Sequence, residues 1–222
     1  LFLSLKSVSQ DFSITSSLSK FIGAVNILFE GNGYSDEWVE EAASRGLSNL
    51  KTTPEALAKY IEPSAIELFT KYSIFSETEM HARFEIELEN YMKKVQIESR
   101  VMGDLAINHV VSTSLKYQTQ LVDNVRGQKE IGIDPQYYAP TVEMIKKISQ
   151  YTSKITTLVD EMTEARKKLN KEDDVVKRAK GYQKEVKEAY FDKIRYAVDK
   201  LELLVDDESW PLVKYREMLF IR

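Results

Sequence analysis

Apolar positions along this chain recur mostly at steps of three and four, the spacing of one face of an α-helix. The longest such stretch is residues 76–127, which has no proline and one internal glycine, Gly103. Met80, Phe84, Leu88, Tyr91, Val95, Met102 and Leu105 form its stripe. Ser76, with Glu79 three residues on, is a capping box that marks the start chemically. A continuous helix from there to Arg126 would be about 75 Å long. A compact domain of this size has a radius of gyration of only about 17 Å. The spacing therefore predicts a bend or break near Gly103, or a helix that projects from the body.

Two further long helices follow. Gly127 to Pro140 reads as a connection, with Pro140 opening the second helix. Its seam is Ile145, Ile148, Thr152, Ile155, Val159, Met162 and Leu169, interrupted by Arg166. Asn170–Asp174 turns the chain, and Asp173 or Asp174 caps the third helix. That helix carries Val175, Ala179, Tyr182, Val186, Ala189, Tyr190, Ile194, Ala197, Val198, Leu201, Leu204 and Val205. Trp210-Pro211 ends the pattern, and an amphipathic tail follows from Leu212 to Arg222.

Short helices precede the long ones. Ser35 caps one bearing Trp38, Val39 and Ala42, which Gly46 ends. Thr53-Pro54 caps a second with Leu57, Tyr60 and Ile61, and Ser64 caps a third with Ile66, Leu68 and Phe69. Their apolar faces are too small to stand alone, so they read as a clasp on something larger. Residues 1–20 show no period, and Phe21–Glu30 is a short apolar element broken by Gly31-Asn-Gly33. The predicted fold is all-α: an antiparallel bundle of three long helices with several short helices packed on it. Residues 1–26 form an N-terminal arm without assigned structure, and residues 27–222 form the helical domain.

Composition narrows the function classes. Acids and bases are interleaved at a net charge of −4, so no basic face for nucleic acid is implied. No apolar run reaches the ~18 residues of a membrane span. Cysteine is absent, which excludes disulfides and thiolate metal sites within this sequence and suits a reducing, cytoplasmic setting. The start at Leu1, without a positively charged leader, reads as a processed or truncated end.

Candidate chemistry is thin. His81, beside Glu79 and Glu85, reads as a solvated helix residue. His109 falls on the extrapolated stripe with Glu98 and Ser112, so the seam reads as apolar at first and polar beyond Glu98. A buried polar network, an interface or a ligand would each account for that. Glu85, Glu87, Glu89, Glu98 and Asp104 lack a base or nucleophile at a spacing that completes a mechanism. Lys93 and Lys94 are placed to pair with Glu89 or Glu98. Asp206-Asp207-Glu208 follow a helix C-terminus, where the dipole disfavours acids. Lys214, Arg216, turn donors or a cation would compensate them. Gly31-Asn-Gly33 lacks phosphate-loop spacing. No catalytic, cofactor-binding or metal-ligating residue is assigned.

Several runs carry a family resemblance: Glu30-Gly-Asn-Gly-Tyr-Ser-Asp-Glu-Trp38, Arg45-Gly-Leu-Ser-Asn-Leu-Lys-Thr-Thr-Pro-Glu-Ala-Leu57, Phe84-Glu-Ile-Glu-Leu-Glu-Asn-Tyr91 and Gly103-Asp-Leu-Ala-Ile-Asn-His-Val110. Asn124-Val-Arg-Gly127, Met162-Thr-Glu-Ala-Arg-Lys-Lys168 and the stretch from Phe191 to Arg222 continue it. Over residues 27–222 the chain resembles the C-terminal helical region of type III glutamine synthetases. Residues 1–20 do not share the likeness.

The resemblance implies a part of an enzyme that makes glutamine from glutamate, ammonia and ATP, with Mg²⁺ or Mn²⁺. It places the chemistry in an upstream catalytic domain marked by an Asn-Arg-x-Ser-Pro-Phe-like run and a Glu-Phe-Arg run, neither of which occurs here. The helical domain would then be structural, bracing that catalytic domain and neighbouring subunits of a homo-oligomer, and inactive in isolation. The rival reading is a free-standing helical interaction module. An upstream reading frame that encodes a β-rich domain separates the two.

Overall fold

A computed structural model describes residue 29 and residues 31–220. The arm at residues 1–26 and most of the Phe21–Glu30 element lie outside the described residues, as does the side chain of Arg216. The chain forms two units, residues 1–51 and 52–222. The described residues hold helices and no strand.

In the first unit, helix α1 is Asp36–Ser44. Ser35 occupies the cap position, but its hydroxyl donates back to the Asn32 carbonyl (2.8 Å) instead of capping the helix. Trp38 stacks on Phe29 at 4.7 Å, and the Arg45 guanidinium lies 5.5 Å from the Trp38 ring centre.

The second unit opens with α2 (Thr53–Ala58), a 3₁₀ turn (Lys59–Ile61) and α3 (Pro63–Lys71). Both helices start earlier than the sequence suggests. Thr52 holds the cap position of α2 and Glu62 that of α3, so Thr53 and Ser64 lie inside their helices. Of the expected clasp, α2, the 3₁₀ turn and α3 pack on the first long helix. Phe69 joins them, 6.0 Å from the Tyr60 ring and 5.8 Å from the Phe75 ring.

That long helix runs without a break from Glu77 to Glu130, as α4 (Glu77–Asp104), a π-helical stretch (Leu105–Val111) and α5 (Ser112–Glu130). Its 54 residues span about 80 Å. The capping box forms in full, with Ser76 Oγ accepting from the Glu79 amide and the Glu79 carboxylate accepting from the Ser76 amide at 2.8 Å. At Gly103 the helix does not stop. A Cβ there would sit 3.3 Å from Val159 Cγ1, so the glycine lets the next helix approach. The π-helical stretch begins two residues later.

The connection to the second long helix is shorter than the sequence suggests. Gly132, at φ +82°, turns the chain, and Asp134 accepts from the Gln136 amide at 3.0 Å. Pro135 takes the first helical position, where its missing N–H costs nothing. Helix α6 is Pro135–Leu169, and Pro140 lies inside it rather than opening it. The predicted seam holds from its second member: Ile148, Thr152, Ile155, Val159, Met162 and Leu169 are all buried, while Ile145 is half-buried.

Asp174 caps the third long helix, accepting from the Val176 (2.9 Å) and Lys177 (3.0 Å) amides. This helix comprises α7 (Val175–Gly181), a π-helical stretch (Tyr182–Phe191) and α8 (Asp192–Glu202). It packs along both earlier long helices, and α5 packs on α6, which completes an antiparallel three-helix bundle. The core runs through all three helices, and Leu88, Ile148, Ile155, Val186, Ala197 and Leu201 are each 0% exposed.

The capping acid yields a pH prediction. Hydrogen bonding, first from the Lys177 amide, holds the Asp174 carboxyl below its ordinary range. Its folded pKa is therefore below the unfolded one. The stabilisation is complete above the ordinary carboxylate range and is lost as pH falls through the depressed value. Asp174→Asn keeps an accepting oxygen without the titration. Urea unfolding from neutral pH down through and below the ordinary carboxylate range will show the wild-type chain losing its advantage over Asp174→Asn only at the acid end. A constant difference across that range would refute the cap's role.

Candidate functional site

The polar residues singled out in the sequence do not converge. His81 is exposed on α4. His109, Glu98, Asp104 and Ser112 are exposed as well, so the expected polar second half of the seam is not what packs. The buried line runs instead through Val95, Ser99, Ala106, Val110, Val111 and Ser114. A strict heptad drifts by about 20° per seven residues from a straight α-helix, and the π-helical stretch widens the turn further. By residue 109 the extrapolated stripe points away from the core. Ser112 Oγ donates to the Ile107 carbonyl at 3.1 Å, five residues back, which is the π spacing. Asn108 donates to the Asp104 carboxylate one turn away.

The acidic candidates are separated in the same way. Glu85, Glu87 and Glu89 face solvent, and Glu89 pairs with Lys93 at 3.5 Å. The acids after α8 find local partners. Asp206 accepts from the Ser209 amide and hydroxyl, each at 3.2 Å. Lys214 pairs with Asp207, donates to the Glu202 carbonyl at 3.3 Å and lies 5.9 Å from the Trp210 ring centre. One lysine thus answers both an acid and a terminal carbonyl at the negative end of the helix. Among the described residues, no three His, Cys, Asp or Glu side chains come together to hold a metal ion.

Side-chain hydrogen bonds also tie the helices together. Tyr91 of α4 donates to Gln183 in the third long helix, and Gln183 donates to Glu188 at 2.8 Å. Burial first, then the charges of Glu98 and Glu188, pushes the Tyr91 hydroxyl up to about 12. Gln118 reaches from α5 to the Ile145 carbonyl of α6 at 3.0 Å. Tyr182 donates to Asn170 at 2.5 Å. Glutamines at half-buried helix positions leave no sequence signal, because their role depends on which helix lies opposite.

An apolar groove of about 690 Å³ lies between the first and third long helices, lined also by Trp210, Leu212 and Val213. One wall is a ridge of Ile97, Val101 and Leu105, which are 62%, 50% and 36% exposed. Leu105, which its spacing placed on the main apolar stripe, belongs to this exposed ridge instead. The other wall is Phe191, Ile194 and Val198. The polar rim is Glu98, Asp199, Glu202 and Arg195, with Arg195 Nε bound to Asp199 at 2.8 Å. The site has no nucleophile–base pair and no imidazole. Its chemistry is that of a docking surface, with an apolar floor and an acidic edge.

Comparison with known proteins adds a family. A model of the glutamine synthetase C-terminal domain matches residues 14–129, starting before the resemblance seen at residue 27. The chain is 47% identical over 204 residues to a glutamine synthetase of Bacteroides fragilis, covering 90% of this chain and 28% of that protein. It is 33% identical over 194 residues to a glutamine synthetase of Butyrivibrio fibrisolvens and 32% identical over 213 residues to a type-3 glutamine synthetase of Dictyostelium discoideum. The chain spans 27% of the length of each of these two.

Proposed function

Because this chain belongs to the glutamine synthetase C-terminal domain family, we propose that it is the helical portion of a type III glutamine synthetase. The whole enzyme would join ammonia to glutamate with ATP and Mg²⁺ or Mn²⁺. The reading is carried by one coincidence: a domain-level family match over more than half of the chain, together with relatives more than three times its length. The resemblance assigns the chemistry to a domain marked by Asn-Arg-x-Ser-Pro-Phe-like and Glu-Phe-Arg runs, which do not occur in this sequence. We therefore assign nucleotide and metal binding to the portion outside residues 1–222, and a bracing role to the helical domain. Its partners are that catalytic portion and neighbouring copies in a homo-oligomer. The proposed setting is the cytoplasm, and no described helix is long and apolar enough to cross a membrane.

The longer polypeptide, assayed for glutamine formation with glutamate, ammonia, ATP and Mg²⁺ or Mn²⁺, is expected to be active. The 222-residue chain alone is expected to show no turnover. An inactive longer polypeptide would overturn the proposal, and turnover by the isolated chain would overturn the assignment of chemistry outside it. A gene that encodes no upstream portion would favour a free-standing interaction module.

A further inference from the structure

We propose that the groove between the first and third long helices seats a segment of the same polypeptide lying before residue 1, and that this segment is apolar with a lysine or arginine at its edge. The inference rests on the family reading above and specifies the surface through which the domain is braced.

Three observations carry it. The ridge Ile97, Val101 and Leu105 is apolar and exposed at consecutive turns, beside a cavity of about 690 Å³. Ridges of that spacing pack into the groove of an apposed element, and water is a poor occupant for so apolar a surface. The rim is acidic. Arg195 is engaged by Asp199, while Glu98 and Glu202 make no ion pair among the described residues, so the edge carries a net negative charge. A cationic side chain complements it.

Length supplies the third observation. Nearly three quarters of each relative lies outside the matched stretch, and the matching domain is C-terminal by description. A tethered segment competes for the groove at an effective concentration of about millimolar, ahead of a free partner. A second copy seated on the same face would set one net-negative rim against another.

The test uses the longer polypeptide with Val101→p-benzoylphenylalanine. Val101 is half exposed, so the substitution leaves the bundle core untouched. Irradiation followed by mass spectrometry reads what lies in the groove. An adduct at single-chain mass that maps before residue 1 is the expected result. An adduct within residues 1–222, such as the tail beyond Val213, a dimer-sized adduct, or no adduct at all would each overturn the proposal. Reversing the rim with Glu98→Lys and Glu202→Lys should lower the adduct yield by about tenfold, and an unchanged yield would overturn the acidic-edge recognition. Glutamine formation by the same preparation separates the two claims. An active enzyme without the adduct sinks this inference alone, and an inactive one sinks the proposed function.

Discussion

Ile155→Ala lowers the stability of the 222-residue chain by about 2–5 kcal/mol, while Ile97→Ala changes it by no more than about 0.5 kcal/mol. The two isoleucines are chemically identical and both sit on long helices. Ile155 is 0% exposed at the middle of α6, among core side chains of the first and third long helices. Its truncation removes buried methyl groups and leaves a cavity between three helices held by their neighbours, so the site cannot collapse freely. Ile97 is 62% exposed and loses little that water does not already touch. Urea unfolding followed by far-ultraviolet circular dichroism measures both. Equal shifts would mean that the bundle does not bury α6 in this register. On the proposed docking, Ile97→Ala becomes costly in the longer polypeptide, because the docked segment covers it.

Gly181→Ala destabilises by about 1–3 kcal/mol in the wild-type chain but not in a Leu169→Ala background. Gly181 lies in ordinary helical backbone, at φ −61°, so the glycine is not required by conformation. It is required by space. A Cβ at this position would overlap Leu169 Cδ2, the last buried side chain of α6, which faces α7 across the Asn170–Asp174 turn. Leu169→Ala alone costs about 2–5 kcal/mol. Once that side chain is gone, alanine at 181 fits and adds up to about 1 kcal/mol of helix propensity over glycine. A double-mutant cycle by denaturant unfolding measures the coupling. Additive single effects would show that the two sites do not touch.

The features legible in the sequence were local. The Ser76–Glu79 capping box, the Asp174 cap, the α6 seam and the turn after Leu169 all formed as read, because each depends on residues within one or two turns. The errors near helix starts were also local. At 134–140 the two prolines competed, and Pro135 took the opening position because Asp134 precedes it as an N-cap while Pro140 has only Ala139. Thr52 and Glu62 displaced the caps read at Thr53 and Ser64, each by one or two residues.

The extrapolated stripe left the buried face at His109 for a different reason, and that rules out only the buried-network reading of this residue. A stripe followed for four turns from Met80 to Val95 is reliable, but the small mismatch between heptad and helix accumulates with length. The π-helical stretch at Leu105–Val111 then shifts the phase again. His109, Glu98 and Asp104 moved to the surface, and Ser99, Ala106 and Ser114 took the core positions. The groove was equally illegible. Ile97, Val101 and Leu105 stood in view, but only the placement of α8 and Trp210 beside them makes a concave surface.

The chain's own order of residues determined that this protein is helical, where its helices begin and end to within a few residues, and which family it belongs to. These are short-range properties of caps, periods and matching runs. Tertiary structure decided which face of the first long helix is buried past residue 98, which glycines are packing contacts, and where an apolar surface is left open. Those outcomes depend on the distance and phase between helices far apart in sequence, which no local pattern encodes.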